Sequence, residues 1–228
     1  MMSLSLFKNR YPTISIPLIA LVAIALMFIG TTSAATIHDV SISNFAFNPQ
    51  TIIIEKGDTV RWTNFDTASH QIMLDPGQSL NYTGPILYKG DTDSFVFTKY
   101  GTFTYHCHIH PFMKGRVIVK GPTISISTDK TQYKPGDTMN VNLNITNPTT
   151  DAVNVSVKIQ LELPNGKNFS FVDIKSVSLP AGFSRDIPFL SVPLPRNIPK
   201  GPYIWHAVLD DPKTGDIISH DHAKWELV

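Results

Sequence analysis

Cys107, His110 and Met113 follow one another at intervals of three residues, and His70 lies upstream of them. Together they offer a thiolate, two imidazoles and a thioether. Two His and one Cys near a plane, with a weak axial Met, form a donor set for copper. The chemistry accounts for the mixture. A thiolate donates charge strongly, imidazole serves Cu(II) and Cu(I) alike, and thioether favours Cu(I). A rigid scaffold that holds such a mixture suits neither oxidation state fully, so little has to move when an electron arrives or leaves. The segment Tyr105-His106-Cys107-His108-Ile109-His110-Pro111-Phe112-Met113 supplies three of these donors from one short loop. The expectation is one copper per chain and single-electron chemistry.

Each of these residues also has a plainer reading. Cys107 is the one cysteine in the chain, and a free buried thiol behaves as a small hydrophobe. Its three partners at ligand spacing argue for a ligand instead. Met73 and Met139 have no such company and read as packing. Pro111 and Phe112 either stiffen the loop or surround the exposed edge of His110. The second reading makes them an apolar docking surface for redox partner proteins.

His106 and His108 flank the cysteine. His-Cys-His-Ile also resembles a motif of multicopper oxidases, where the flanking imidazoles bind a trinuclear cluster. In that family the next His comes five residues after the Cys; here Phe112 stands there. No upstream His-x-His pair completes such a cluster. His206, His220 and His222 lie far downstream. His220-Asp221-His222 places two imidazoles on one side of a strand, as half of a second metal site or as a solvated polar face, and the second is preferred. These residues define the alternatives to an electron carrier. One is a copper-binding chaperone or sensor that uses the extra His residues. The other is a multicopper-oxidase-like enzyme formed by oligomerisation.

The elements that must position these residues read as strands. Residues 51–55 and 59–64 are rich in β-branched and aromatic types and are split by the turn Lys56-Gly57-Asp58. Phe95 and Phe97 share a face in 94–98. Phe103, Tyr105 and Cys107 alternate with Thr102, Thr104 and His106. Residues 115–120 close this unit, and Gly121-Pro122 looks like a boundary. Beyond it the turn Lys134-Pro135-Gly136-Asp137 repeats the earlier turn chemistry. Met139, Val141, Leu143 and Ile145 then alternate with polar residues. From Val153 to Leu163 the odd positions are apolar and the even ones polar, the pattern of a strand with one wet face. Residues 203–209 form a further strand. The pattern predicts an all-β chain, with a second, immunoglobulin-like β-sandwich over 121–228. That part shows no nucleophile–base pair, phosphate loop or paired catalytic carboxylates, so its expected role is spacing, docking or oligomerisation.

Residues 36–120 resemble a cupredoxin, most closely the amicyanin and plastocyanin group. The match is carried by Phe47-Asn48-Pro49, Gly57-Asp58-Thr59-Val60, Trp62-Thr63-Asn64 with His70, Gly101-Thr102-Phe103, and the loop Tyr105 to Met113 followed by Gly115. The resemblance implies a Greek-key β-sandwich, one type 1 (blue) copper and outer-sphere electron transfer; the leading expectation is an electron carrier, not an enzyme in its own right. By position it makes His70 and His110 the imidazole ligands, Cys107 the thiolate and Met113 the axial ligand. One departure stands out. The family usually has Asn after the upstream His, bracing the ligand loop; this chain has Gln71.

Residues 1–35 differ in kind. Lys8 and Arg10 precede an apolar run over 14–30, followed by Thr31, Thr32, Ser33, Ala34 and Ala35. A basic start, an apolar middle and a small-residue exit read as a secretory signal peptide, cut near Ala34 or Ala35. The rival is a retained anchor, with membrane association through 14–30. Either way the rest of the chain is expected outside the cytoplasm, in a periplasm, pseudoperiplasm or at the cell surface. Sequons at Asn81, Asn144, Asn154 and Asn168 are compatible with export. Formal net charge is +1, and no basic patch stands out, so no nucleic-acid partner is expected. Residues 36–120 carry equal numbers of acidic and basic residues.

Overall fold

The computed structural model describes residues 34–228. The apolar run 14–30, and with it the expected signal or anchor, lies outside the described residues. None of the described residues is helical.

The first nine strands are β1 (Ile37–Ser43), β2 (Ala46–Asn48), β3 (Thr51–Ile54), β4 (Thr59–Asn64), β5 (His70–Leu74), β6 (Thr83–Leu87), β7 (Thr92–Val96), β8 (Gly101–Cys107) and β9 (Lys114–Val119). They build two facing sheets, in the orders β2-β1-β4-β7 and β3-β9-β8-β5-β6. β1 runs parallel to β4 and β3 parallel to β9; the other pairs are antiparallel. Alternation directs Val40, Ile42, Val60, Trp62, Ile72, Phe103, Tyr105 and Val117 into the space between the sheets. Cys107 and Met113 belong to the same core, so the donor loop is anchored in packed side chains at both ends.

The remaining strands are β10 (Thr123–Thr128), β11 (Gln132–Tyr133), β12 (Thr138–Asn147), β13 (Val153–Glu162), β14 (Asn168–Leu179), β15 (Phe183–Pro193), β16 (Gly201–Asp210) and β17 (Ile217–Leu227). They form sheets in the orders β10-β12-β15 and β11-β17-β16-β13-β14. This is the immunoglobulin-like arrangement, with β14 extending the sheet beyond β13. The Tyr203 hydroxyl on β16 donates to the Pro199 carbonyl at 2.7 Å, the corner hydrogen bond typical of such sandwiches. With no cysteine pair to join the sheets, Trp205 fills the centre. It is fully buried against Phe171 and Phe189.

The Gly-Asp turn recurs in both sandwiches. Gly57 and Gly136 have φ of 96° and 95°, a region that favours glycine. In each case the following aspartate turns its carboxylate back on the chain. Asp58 accepts from Glu55 N at 3.0 Å, and Asp137 accepts from Lys134 N at 3.0 Å. A second device also recurs. Asn64 ends β4 and Asn147 ends β12, and both are fully buried. The Asn64 amide donates to the Ala68 and Leu87 carbonyls, and that of Asn147 to Asp151 and Leu179. Each satisfies main-chain carbonyls that a sharp loop would leave unpaired.

The two sandwiches meet at Tyr100, which packs against both cores. Lys56 stands 4.7 Å over its ring and 3.6 Å from Asp211. Lys99 pairs with Asp216 at 3.1 Å.

Candidate metal centre

The strand order brings the donors together. β5 lies beside β8, with Ile72 opposite Cys107, so His70 at the start of β5 sits next to the end of β8. The loop after β8 then turns back on itself. His110 N donates to Cys107 O at 3.1 Å, Met113 N to His110 O at 2.9 Å, and Cys107 N to Met113 O at 3.1 Å. Main-chain hydrogen bonds thus tie the loop to the end of β8.

The Cys107 Sγ lies 3.6 Å from His70 Nδ1 and 3.7 Å from His110 Nδ1. These three donor atoms lie within 4.8 Å of one another. An ion about 2.3 Å from sulfur and about 2.0 Å from nitrogen, in a trigonal plane, separates S and N by about 3.7 Å. The residues present therefore fit a copper ion. Met113 closes the loop, 2% exposed and within the core. Cys107 and His70 are fully buried, whereas His110 is partly exposed.

A first family of matches concerns residues 34–120, which fit the sequence model of copper binding proteins of the plastocyanin/azurin family. Amicyanin-alpha of Methylorubrum extorquens is 36% identical over 84 residues, covering 36% of this chain and 71% of the relative. The chain belongs to the plastocyanin/azurin family of copper-binding proteins. Amicyanin of Paracoccus denitrificans is 34% identical over 83 residues, with 36% of this chain and 63% of that protein covered. Among solved structures, a reduced amicyanin mutant matches at 31% identity and a TM-score of 0.36, covering 39% of this chain and 87% of that one.

The departure at Gln71 takes the side chain out of the brace. The Gln71 side chain donates to the Gly84 carbonyl on β6 at 2.9 Å and does not reach the ligand loop. Its main chain does the bracing: Gln71 N points at Cys107 Sγ at 3.5 Å, and Gln71 O accepts from His108 N at 2.8 Å. An N–H aimed at the sulfur is one of the features that tune a copper–thiolate site.

Three residues of this site were not legible as functional. Asp66 Oδ2 accepts from His70 Nε2 at 3.1 Å, which directs Nδ1 toward the sulfur. The same carboxylate accepts from Asn44 N at 2.7 Å and Phe45 N at 3.0 Å. Burial alone would raise Asp66, but these donors hold it below the ordinary carboxylate range. Burial pushes His70 below the usual imidazole value, with Asp66 opposing the shift. Asn44 and Phe45 both have positive φ, 51° and 56°, and the turn they make brings Phe45 over the two imidazoles. Asp66 precedes His70 by four residues, the one signal in the sequence for its role; nothing local marked Phe45.

Phe112 is 70% exposed and Phe45 43%. Their ring centroids stand 6.0 and 5.0 Å from that of His110. Pro111 and Ile109 are exposed beside them. His106 points the other way, with Nδ1 2.5 Å from Asp75 Oδ1. His108 is exposed, and its N–H is used by Gln71.

Proposed function

We propose that this protein is an exported electron carrier, not an enzyme in its own right, with one type 1 copper held by His70, Cys107, His110 and Met113. The observation that carries the reading is the convergence of Sγ and two Nδ1 atoms at trigonal-site separations. Copper bound there supplies the one-electron couple. The protein's own part is to hold the donors still, keep water out and offer one edge to a partner. Residues 36–120 are the copper unit, and 121–228 a second unit for spacing, docking or oligomerisation.

His110 is the exit. It is the donor imidazole that reaches the surface, and Phe45, Pro111 and Phe112 frame it with apolar atoms. A redox partner protein docking on this face has the shortest route to the ion through the His110 ring. Small transient interfaces of this kind suffice for electron transfer. His106 is occupied by Asp75, which favours this reading over an oxidase cluster built on the flanking imidazoles.

The deciding experiment is a visible absorption spectrum of the copper-loaded protein, with redox cycling. Intense thiolate-to-copper absorption that bleaches on reduction and returns on oxidation is expected, and Cys107→Ser abolishes it. A Cys107→Ser protein that keeps the band refutes the ligand assignment. Export is tested separately, by N-terminal sequencing of protein from its native source. A chain that starts near Ala35 or Thr36 is expected; one that keeps Met1 is anchored through 14–30.

A further inference from the structure

We propose that the outer face of the β13–β16–β17 sheet carries a second metal site, for a divalent first-row cation that prefers imidazole, Cu(II) ahead of Zn(II). Its ligands are His206, His220 and His222, and Glu162 is the residue that orients His206.

Topology assembles the group. His206 on β16 is the direct cross-strand partner of His222 on β17. His220 lies two residues before His222, on the same face. Glu162 on the neighbouring strand β13 completes the patch. The His206 and His220 rings are 5.6 Å apart and nearly parallel, and the His220 and His222 rings are 6.2 Å apart. Three imidazoles from two strands are thus stacked along one face. All of them look away from the core, which is filled from the other side by Trp205, Ala207 and Leu209.

The hydrogen bonding selects the tautomer. His206 Nε2 lies 3.0 Å from Glu162 Oε2. A carboxylate can only accept there, so Nε2 carries the proton and Nδ1 of a neutral ring presents its lone pair. That Nδ1 faces His220 Nε2 at 3.4 Å. The separation is long for an N–H···N bond. It equals that of two nitrogens each about 2.0–2.1 Å from one tetrahedral ion, which is about 3.3–3.4 Å. A carboxylate behind a ligating imidazole is the recurrent outer partner of metal-binding histidines. His220 and His222 are exposed, so their rings turn toward a common ion without disturbing packed atoms.

The donor chemistry sets the ligand class. An all-imidazole set with no thiolate suits Cu(II) and Zn(II), with Cu(II) bound more tightly by the usual divalent order. Three protein donors leave a position for water. Such an ion is solvent-facing, in contrast to the enclosed centre formed by His70, Cys107 and His110.

The test uses the full chain with its first centre already filled by copper. Isothermal titration with Zn²⁺ alone, and electron paramagnetic resonance during titration with Cu²⁺, count what binds next. One further equivalent is expected, with a second, nitrogen-coordinated Cu(II) signal. The paired substitutions His206→Ala and His220→Ala remove that equivalent and leave the visible band of the first centre intact. Glu162→Gln weakens it by roughly 10- to 100-fold. His220→Gln alone gives the same loss as the pair and guards against misfolding of the double variant. A stoichiometry that stays at one, or a second equivalent undiminished in the double variant, overturns the proposal.

Discussion

The Phe45 ring meets the His110 ring edge-on, with centroids 5.0 Å apart and planes at 89°. Phe45 lies in the turn between β1 and β2 of one sheet and His110 in the loop between β8 and β9 of the other, and Phe45 reaches its place because Asp66 holds its main chain in a left-handed turn. The apolar frame around His110 therefore has two aromatic sides, Phe45 and Phe112. Phe112→Glu and Phe45→Glu are each expected to slow electron self-exchange between Cu(I) and Cu(II) copies while leaving the visible band nearly unchanged. The copper unit is formally neutral, so exchange rates should vary only modestly between low and high salt. Nuclear magnetic resonance line broadening in mixed-oxidation samples measures both. Steep salt dependence, with no effect of either substitution, moves docking to another face.

Asp66 links His70 to that turn, and Asp66→Asn separates the two roles. An amide is a weaker acceptor than a carboxylate, so the His70 imidazole becomes a poorer donor. Copper affinity is expected to fall by roughly 10- to 100-fold, and the reduction potential to rise because Cu(II) loses more than Cu(I). Competition with a chelator and voltammetry read these quantities. Unchanged values for both would leave Asp66 as a main-chain cap only.

Met113 sits 2% exposed at the close of the ligand loop. Met113→Leu keeps the volume and removes the thioether. The protein should still bind copper, with its reduction potential raised, since axial-ligand identity tunes that potential. A potential that stays the same or falls excludes Met113 as the axial ligand.

Asp58 gives a pH-dependent prediction. It is 5% exposed and accepts from Thr36 N, Glu55 N and His38 Nε2 at 2.8, 3.0 and 2.7 Å. Burial works to raise its pKa, but these bonds outweigh burial and hold it below the ordinary 3.8. A depressed carboxylate contributes stability that is complete above the unfolded value and is lost as pH falls through the folded one. Asp58→Asn should cost about 2 kcal/mol at pH 7, on the scale of hydrogen bonds to a charged group. The gap to the native protein should narrow below about pH 4. Denaturant melts at pH 7 and pH 3 check this; a gap that widens in acid contradicts it.

The sequence by itself determined the donor residues' types and spacing, the strands whose faces alternate, and the repeated Gly-Asp turns. Strict alternation made β12 and β13 readable, because each has one dry face and one wet face. β14 and β15 were not readable in that way. They are edge strands, and register shifts in their pairing, together with Pro188 in β15, break the period of two. Tertiary structure alone decided that Asp66 orients His70 and that Phe45 covers His110. It also decided that His206, His220 and Glu162 meet on one face. The reason is physical. Sequence spacing fixes which side of its own strand a residue occupies, whereas these contacts depend on which strands lie side by side and where a turn sends the chain. That order is set by the packing of the whole core.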